Sequence, residues 1–289
     1  MKQLRQYRDR VVGNNINSTL RERNASVDNP PFRVDRGLAD LEEEMGEIPQ
    51  SFWGGELEKT RTVREYASHR LQKYIERGEK EKVSVLEFGC GRGSLLLDLH
   101  KSLSEEFGRD VCDKHLSLTG ISLGDFRDLP VAENDEGIRR DLEEAGIDYQ
   151  IQSIDNSRDF LRQIGGPYDL IVSYKTFKFL RPDRMRAEAI KIVYRLLKNN
   201  GLAVLATAHL INTEPDAKID KQEHTGQKNR AVLRLNDYFA ERGLEVLLFG
   251  SQTFESTNLF MKKNNNKFRI PPIFDEEGDQ ISLQDVNNI

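Results

Sequence analysis

The chain has 289 residues, of which 37% are hydrophobic and 31% are charged. This length is typical of one α/β domain with extensions, and the low apolar share predicts polar tails that flank a core of normal composition. The net charge of −5 argues against a dedicated nucleic-acid binder, which carries a basic surface, so no nucleic-acid partner is expected.

The sequence carries no signal for export, membrane insertion or metal binding. The first residues lack the apolar region of a secretory signal, and no stretch approaches the roughly 20 apolar residues that span a bilayer. The two cysteines, Cys90 and Cys112, are too few for a disulfide framework or a zinc cluster. We therefore expect a soluble, cytoplasmic protein without a metal site.

Composition divides the chain into three parts. Residues 1–50 are polar and predict a loosely ordered arm with one short helix over 38–45. Residues 51–263 carry the apolar periodicity of a folded domain, and its first segment, with Phe52-Trp53 beside two glycines, predicts a lid helix. Residues 264–289 are again polar and predict a tail.

Within the central part, strand patterns alternate with helix patterns. Helices are predicted over 56–77, 94–103, 134–145, 157–164, 184–197 and 231–242, and strands over 83–88, 115–123, 147–154, 168–174, 202–207, 244–249 and 257–262. This alternation predicts a doubly wound, mostly parallel Rossmann-like sheet. The last two strands have no helix between them, which predicts an antiparallel terminal strand.

A glycine-rich turn follows the first predicted strand. Gly89, Gly91 and Gly93 allow positive φ angles and a close backbone approach to a ligand, and the next helix offers N–H groups and a positive dipole end. These properties suit an adenosine-containing cofactor. The dinucleotide fingerprint fits poorly, because Ser94 stands where its third small residue belongs and the second strand lacks a terminal acid.

Residues 85–94, Val-Leu-Glu-Phe-Gly-Cys-Gly-Arg-Gly-Ser, resemble motif I of the class I S-adenosylmethionine-dependent methyltransferases. The predicted order of elements is similar to that family's fold as well. The resemblance implies S-adenosylmethionine as the cofactor, Glu87 beside its methionine amino group, and the turn Gly89-Cys90-Gly91 with Gly93 beneath it.

The resemblance also assigns positions farther along the chain. Ser122 occupies the place of the family's ribose-binding acid, for which Asp125 is a possible substitute, and Asp155 occupies the adenine-contacting segment. Ser173 falls in the motif that lines the methyl-transfer face. Other interpretations stay open, since Asp155 also suits the N-cap of the following helix and Ser122 is also an ordinary residue at a strand end.

Catalytic candidates lie at the predicted carboxyl ends of the fourth and fifth strands. Tyr174 and His209 are placed there, and a histidine at that edge is able to act as a general base, although a lone histidine is more often an ordinary polar residue. Cys90 is interpreted as a small core residue rather than a nucleophile.

Taken together, these features predict a methyltransferase. The acceptor expected is a small molecule, with a protein side chain as the alternative. Because the cofactor already carries an activated methyl group, the protein needs mainly to align the acceptor and exclude water. Two rival classes remain at this point, namely a catalytically inactive methyltransferase-like binding module and a nicotinamide-dependent oxidoreductase. The pattern does not determine an oligomeric state.

Overall fold

The computed structural model describes residues 35–45, 62–79, 81–129, 137–152, 163–176, 183–206, 259–263, 273–274 and 280–281. The Phe52-Trp53 lid, the strand expected at 244–249 and the helix expected at 231–242 lie outside these residues, as does most of the helix expected at 157–164. The chain divides into two compact units, residues 1–168 and 169–289.

Within the described part of the chain, a mixed sheet of six strands forms the centre of the fold. Its strands are β1 (Val83–Phe88), β2 (Leu116–Ser122), β3 (Asp148–Ile151), β4 (Tyr168–Tyr174), β5 (Leu197–Ala206) and β6 (Leu259–Lys262). They follow the order β3-β2-β1-β4-β5-β6, mostly parallel, with β6 antiparallel to β5. The predicted fold class, including the antiparallel terminal strand, is confirmed.

In the described residues of the first unit, five helices lie around β1 to β3. These are α1 (Leu38–Met45), α2 (Val63–Arg77), α3 (Ser94–Phe107), α4 (Arg109–His115) and α5 (Arg139–Glu144). Strand β1 pairs in parallel with β2 along its whole length, and β2 pairs with β3. Every residue of β1 except Ser84 is buried, as expected for a strand covered on both faces.

Helix α1 is packed against α3. Its apolar side chains Leu38, Leu41 and Met45 are buried, and Leu41 has no exposed surface. The Asp98 carboxylate on α3 accepts a hydrogen bond from the amide of Leu38 at 3.1 Å, and so satisfies a donor at the start of α1. The short helix predicted at 38–45 is confirmed, and it belongs to the folded unit.

Helix α2 begins later than the apolar spacing predicts. Thr62 is its N-cap in an extended conformation, and a capping box joins Thr62 to Glu65 in both directions. The prediction that the helix starts at 56 is wrong, because this box fixes its first residue at Val63. Gly78, with φ of 62°, ends the helix as expected.

Three other boundaries in this unit differ from prediction. Helix α3 continues to Phe107 and is followed by α4, which was not predicted because its seven residues are mostly polar. Helix α5 is shorter than expected, since Gly137 has φ of 82° and the helix forms only after Ile138. Strand β3 likewise ends at Ile151.

The second unit contains α6 (Asp183–Leu196) with β5 and β6, and a short antiparallel pair, β7 (Ile273–Phe274) and β8 (Gln280–Ile281). Strand β5 starts at Leu197, so the strand start predicted at 202 is wrong. Asn200 adopts φ of 62°, and its amide donates to the Lys263 carbonyl at 2.7 Å. Pairing therefore keeps this segment in the strand. The expected tail, for its part, contains β7 and β8.

Among the residues described, no helix combines the length and the apolar character that crossing a membrane requires.

Candidate active site

The glycine turn joins β1 to α3 and is fastened to the end of β2. The amides of Gly89 and Cys90 both donate to the carbonyl of Ile121, at 2.7 and 2.9 Å. Gly89, Gly91 and Gly93 have φ angles of 72°, 55° and 98°, which side-chain-bearing residues rarely adopt. The predicted reason for glycine at these positions therefore matches the backbone.

Helix α3 starts directly from this turn without a side-chain cap. Its N-cap is Gly93, which has no side chain to accept a hydrogen bond from the first turn of the helix. The amide donors and the positive dipole end of α3 thus lie at the glycine turn. The segment before α1 contributes a carboxylate nearby, because Asp35 accepts a hydrogen bond from the Ser94 hydroxyl and lies 3.9 Å from the Arg92 guanidinium.

Glu87 places a carboxyl group in β1, two residues before the turn. Its side chain is only 3% exposed, and its Oε2 atom has no hydrogen-bonding partner among the described residues. Burial, together with the nearby negative charge of Asp98, raises the pKa of Glu87 to about 8. A buried acceptor without a partner is costly unless a ligand supplies a donor, and a cationic amine meets that need best.

The cysteine of the turn lies in the core. Cys90 is 4% exposed, and burial raises the pKa of its thiol well above the ordinary value. A Cβ atom placed on Gly120 of β2 would lie 2.9 Å from the Cys90 sulfur, so glycine at 120 makes room for this side chain. These observations favour a packing role for Cys90 over a nucleophilic one.

The end of β2 carries no free carboxylate. Ser122 is buried, and its side chain interacts with the hydroxyl of Tyr149. Asp125, the possible substitute for the family's ribose-binding acid, accepts hydrogen bonds from Arg127 at 2.7 and 2.8 Å and from Arg139 at 3.0 Å. These guanidinium groups lower the pKa of Asp125, and its carboxylate is already engaged in ion pairs.

Tyr149 belongs to this region and was not predicted from the sequence. Its hydroxyl lies 2.5 Å from the carbonyl of Gly91 and 3.0 Å from that of Gly124. The Arg127 guanidinium is stacked 4.6 Å from the centre of its ring. No motif marks Tyr149, because it reaches the turn from a strand 58 residues farther along the chain.

The other predicted site residues belong to the second unit or lie outside the described residues. Ser173 and Tyr174 are buried at the end of β4, with Lys175 over the Tyr174 ring at 5.0 Å. Asp155 and His209 fall outside the described residues. The structure therefore brings together Glu87, the turn and Ser122, and the roles assigned to the others stay predictions.

Comparison with known proteins adds an independent line of evidence. A family model described as a methyltransferase domain matches residues 60–252, which is more than half of the chain. No curated protein matches the sequence.

Several solved structures are similar at low identity. A TehB-like SAM-dependent methyltransferase from Corynebacterium glutamicum is 18% identical, with 70% of this chain and 88% of that chain covered and a TM-score of 0.36. Magnesium protoporphyrin IX methyltransferase from Synechocystis, with bound SAH, is 13% identical, with coverages of 78% and 92% and a TM-score of 0.37. The N-methyltransferase NodS from Bradyrhizobium japonicum, in complex with SAH, is 16% identical, with coverages of 80% and 100% and a TM-score of 0.34.

The strand order and the glycine turn after β1 define the class I methyltransferase fold. The family match over residues 60–252 shows that the chain belongs to the methyltransferase-domain family. It is therefore a methyltransferase.

Proposed function

We propose that this enzyme methylates a small-molecule acceptor and holds S-adenosylmethionine at the glycine turn through Glu87. The buried Oε2 atom of Glu87, which has no partner among the described residues, carries the cofactor placement. The methionine part of the cofactor bears an ammonium group, which offers the N–H donors and the positive charge that this carboxyl group lacks.

The backbone of the turn complements this carboxyl group. Positive φ angles at Gly89, Gly91 and Gly93 leave the turn without side chains at those positions, and the dipole end of α3 favours a negative group. A zwitterionic amino-acid moiety presents both charges. Glu87 would hold its ammonium group, and the start of α3 would hold its carboxylate.

When bound, S-adenosylmethionine supplies a methyl group on an electron-poor sulfonium, so the chain need not activate the donor. The residues of the protein then have two tasks, namely to fix the cofactor and to orient the acceptor. Ser173 and Tyr174 are the proposed lining of the methyl-transfer face, and Asp155 and His209 keep the adenine-contacting and general-base roles that the resemblance and the sequence suggest.

Charge pairing near the turn supports a small acceptor over a nucleic acid. The arginines that the structure places near the turn are each joined to a carboxylate, as in Arg92 with Asp35, Arg127 with Asp125, and Arg139 with Asp128. A phosphate backbone would have to compete with these carboxylates. The net charge of −5 further disfavours a polyanion.

Two measurements test this proposal separately. Titration calorimetry is expected to show binding of S-adenosylmethionine and S-adenosylhomocysteine, with none for NAD; failure to bind either sulfur compound would remove the cofactor site. The protein is then incubated with methyl-labelled S-adenosylmethionine and a cell extract split by ultrafiltration. Label is expected in the low-mass fraction, and label confined to protein would overturn the small-molecule acceptor.

A further inference from the structure

The phenol of Tyr149 joins the middle of the glycine turn to the loop that follows β2. Its hydroxyl donates to the carbonyl of Gly91 at 2.5 Å and to that of Gly124 at 3.0 Å. It also accepts a longer hydrogen bond, 3.4 Å, from the amide of Phe126. One side chain therefore ties together the two loops at the carboxyl ends of β1 and β2.

This hydroxyl is a donor throughout the working pH range. Burial raises the pKa of Tyr149 far above its ordinary value, so the phenol keeps its proton. A phenol has only one proton, and the two carbonyls share it, with the shorter distance to Gly91. The Arg127 guanidinium, 4.6 Å above the ring and bound in turn by Asp125, limits movement of the phenol.

The bond to Gly91 sets the direction of a whole peptide group. The peptide between Gly91 and Arg92 is planar and trans, so the N–H of Arg92 points opposite to the Gly91 carbonyl. Gly91 has φ of 55° and no side chain, and thus little local restraint against rotation of this peptide. The hydrogen bond from Tyr149 of β3 restrains the rotation of this peptide.

We propose that Tyr149 is a positioning residue for cofactor binding, which holds the Gly91–Arg92 peptide in its ligand-binding orientation. This inference rests on the placement of S-adenosylmethionine at the glycine turn. At the end of β2, the Ser122 side chain contacts the Tyr149 hydroxyl, and the Asp125 carboxylate is held by two arginines.

The test compares Tyr149→Phe with Tyr168→Phe. Tyr168 is a matched control in the same unit, since its hydroxyl also donates to a backbone carbonyl, that of Ile164 at 2.7 Å. Calorimetry with S-adenosylhomocysteine is expected to give a Kd about tenfold higher for Tyr149→Phe and an unchanged Kd for Tyr168→Phe.

Amide hydrogen exchange of the cofactor-free protein distinguishes a positioning role of Tyr149 from direct contact of its hydroxyl with the cofactor. Comparison with Tyr168→Phe distinguishes it from a general loss of stability. Exchange of the amides of residues 89–93 is expected to be about tenfold faster in Tyr149→Phe and unchanged in Tyr168→Phe. Unchanged exchange in Tyr149→Phe, or equal effects in both variants, would overturn the proposal. Absence of binding by the wild-type protein would instead refute the cofactor placement.

A second variant covers the case in which Tyr149→Phe does not fold. Arg127→Met removes the cation from the face of the ring and leaves the hydroxyl in place. We expect a Kd about threefold higher and a smaller rise in exchange at residues 89–93. A Kd equal to that of the wild-type protein, with unchanged exchange, would count against a positioning role for Tyr149.

Discussion

Two strands of this protein each bury an acidic side chain, and the surroundings of these two side chains differ. In the second unit, Asp169 of β4 has no exposed surface and forms an ion pair with Lys198 of β5 at 2.9 Å. In the first unit, Glu87 of β1 is 3% exposed, and its Oε2 atom has no hydrogen-bonding partner among the described residues. One unit thus provides a cation for its buried acid, whereas the other leaves an acceptor beside a glycine turn.

The difference separates an acid that is part of a structural ion pair from an acid that is available to a ligand. The charge of Asp169 is compensated by Lys198 of the neighbouring strand. Removal of that charge is therefore expected to destabilise the fold. Glu87 is uncompensated in the free protein, and burial with the charge of Asp98 raises its pKa to about 8. An ammonium group that binds beside Glu87 would therefore complete the site and lower that pKa.

The largest effect is expected from Gly91→Val. A β-branched residue does not tolerate φ of 55°, so the turn must change conformation, and we expect no measurable binding of S-adenosylmethionine by calorimetry. Gly78→Val is the matched control, since Gly78 has φ of 62° at the end of α2 and open space around it. It should lower stability by roughly 1–2 kcal/mol and leave binding intact. Equal loss of binding in both variants would contradict a special role for the turn.

The next effect concerns the charge of Glu87. Glu87→Gln should raise the Kd of S-adenosylmethionine roughly 50-fold, because the amide cannot compensate an ammonium group. Since Glu87 is protonated at pH 7 in the free protein, binding to the wild-type protein should release close to one proton. Calorimetry in two buffers of different ionisation enthalpy measures this proton, which Glu87→Gln should not release. A wild-type enthalpy that is the same in both buffers would refute the coupling.

Neutralising the two acids should change stability in opposite directions. The pKa of Glu87 is about 8 in the folded state against 4.5 for the unperturbed group, so the native state binds more protons between these values. The contribution of Glu87 is fully present below pH 4.5 and is lost as the pH rises to 8. Above pH 8 and without cofactor, Glu87→Gln should therefore be more stable than wild type in urea unfolding.

Asp169→Asn should instead destabilise the protein by about 3 kcal/mol at neutral pH, because Lys198 loses its partner in a largely buried position. Asparagine has nearly the same volume as aspartate, so this variant tests the loss of the negative charge. If both substitutions lower the free energy of unfolding at pH 8.5, the contrast between the two carboxylates is wrong.

The smallest effect is expected at the capping box of α2. Thr62→Ala removes the hydroxyl that accepts from the Glu65 amide at 3.2 Å, and should cost about 1 kcal/mol in urea unfolding. Binding of S-adenosylmethionine should be unchanged, since this cap stabilises only the helix start. Weaker binding in this variant would show that stability and affinity are coupled within the first unit.

The strands of the fold were predictable where burial is continuous. Strands β1 and β4 have the predicted limits because nearly every side chain in them is buried, so the apolar run and the strand coincide. The start of β5 was not predictable, because its Asn199-Asn200-Gly201 segment is locally a turn sequence. Pairing with Lys263 overrides that preference, and asparagine tolerates the left-handed φ of 62°.

The site was predictable from the residues themselves mainly where these are adjacent in sequence. Glu87 and the three glycines lie within seven positions, and the spacing of the glycines in the sequence indicates a turn with positive φ angles. Tyr149 was missed because its contact depends on the packing of β3 against β2. The ion pairs of Asp125 depend likewise on where Arg139 of α5 comes to lie.

The docking of α1 bears on where an expressed fragment of this enzyme should begin. The family match starts at residue 60, yet Leu38, Leu41 and Met45 are buried on α3, and Asp35 bonds to Ser94 at the turn. A fragment that begins at residue 60 would expose the apolar surface of α3 that α1 covers, and this exposure would favour aggregation. A fragment that begins at residue 34 or earlier retains α1, which covers this surface of α3.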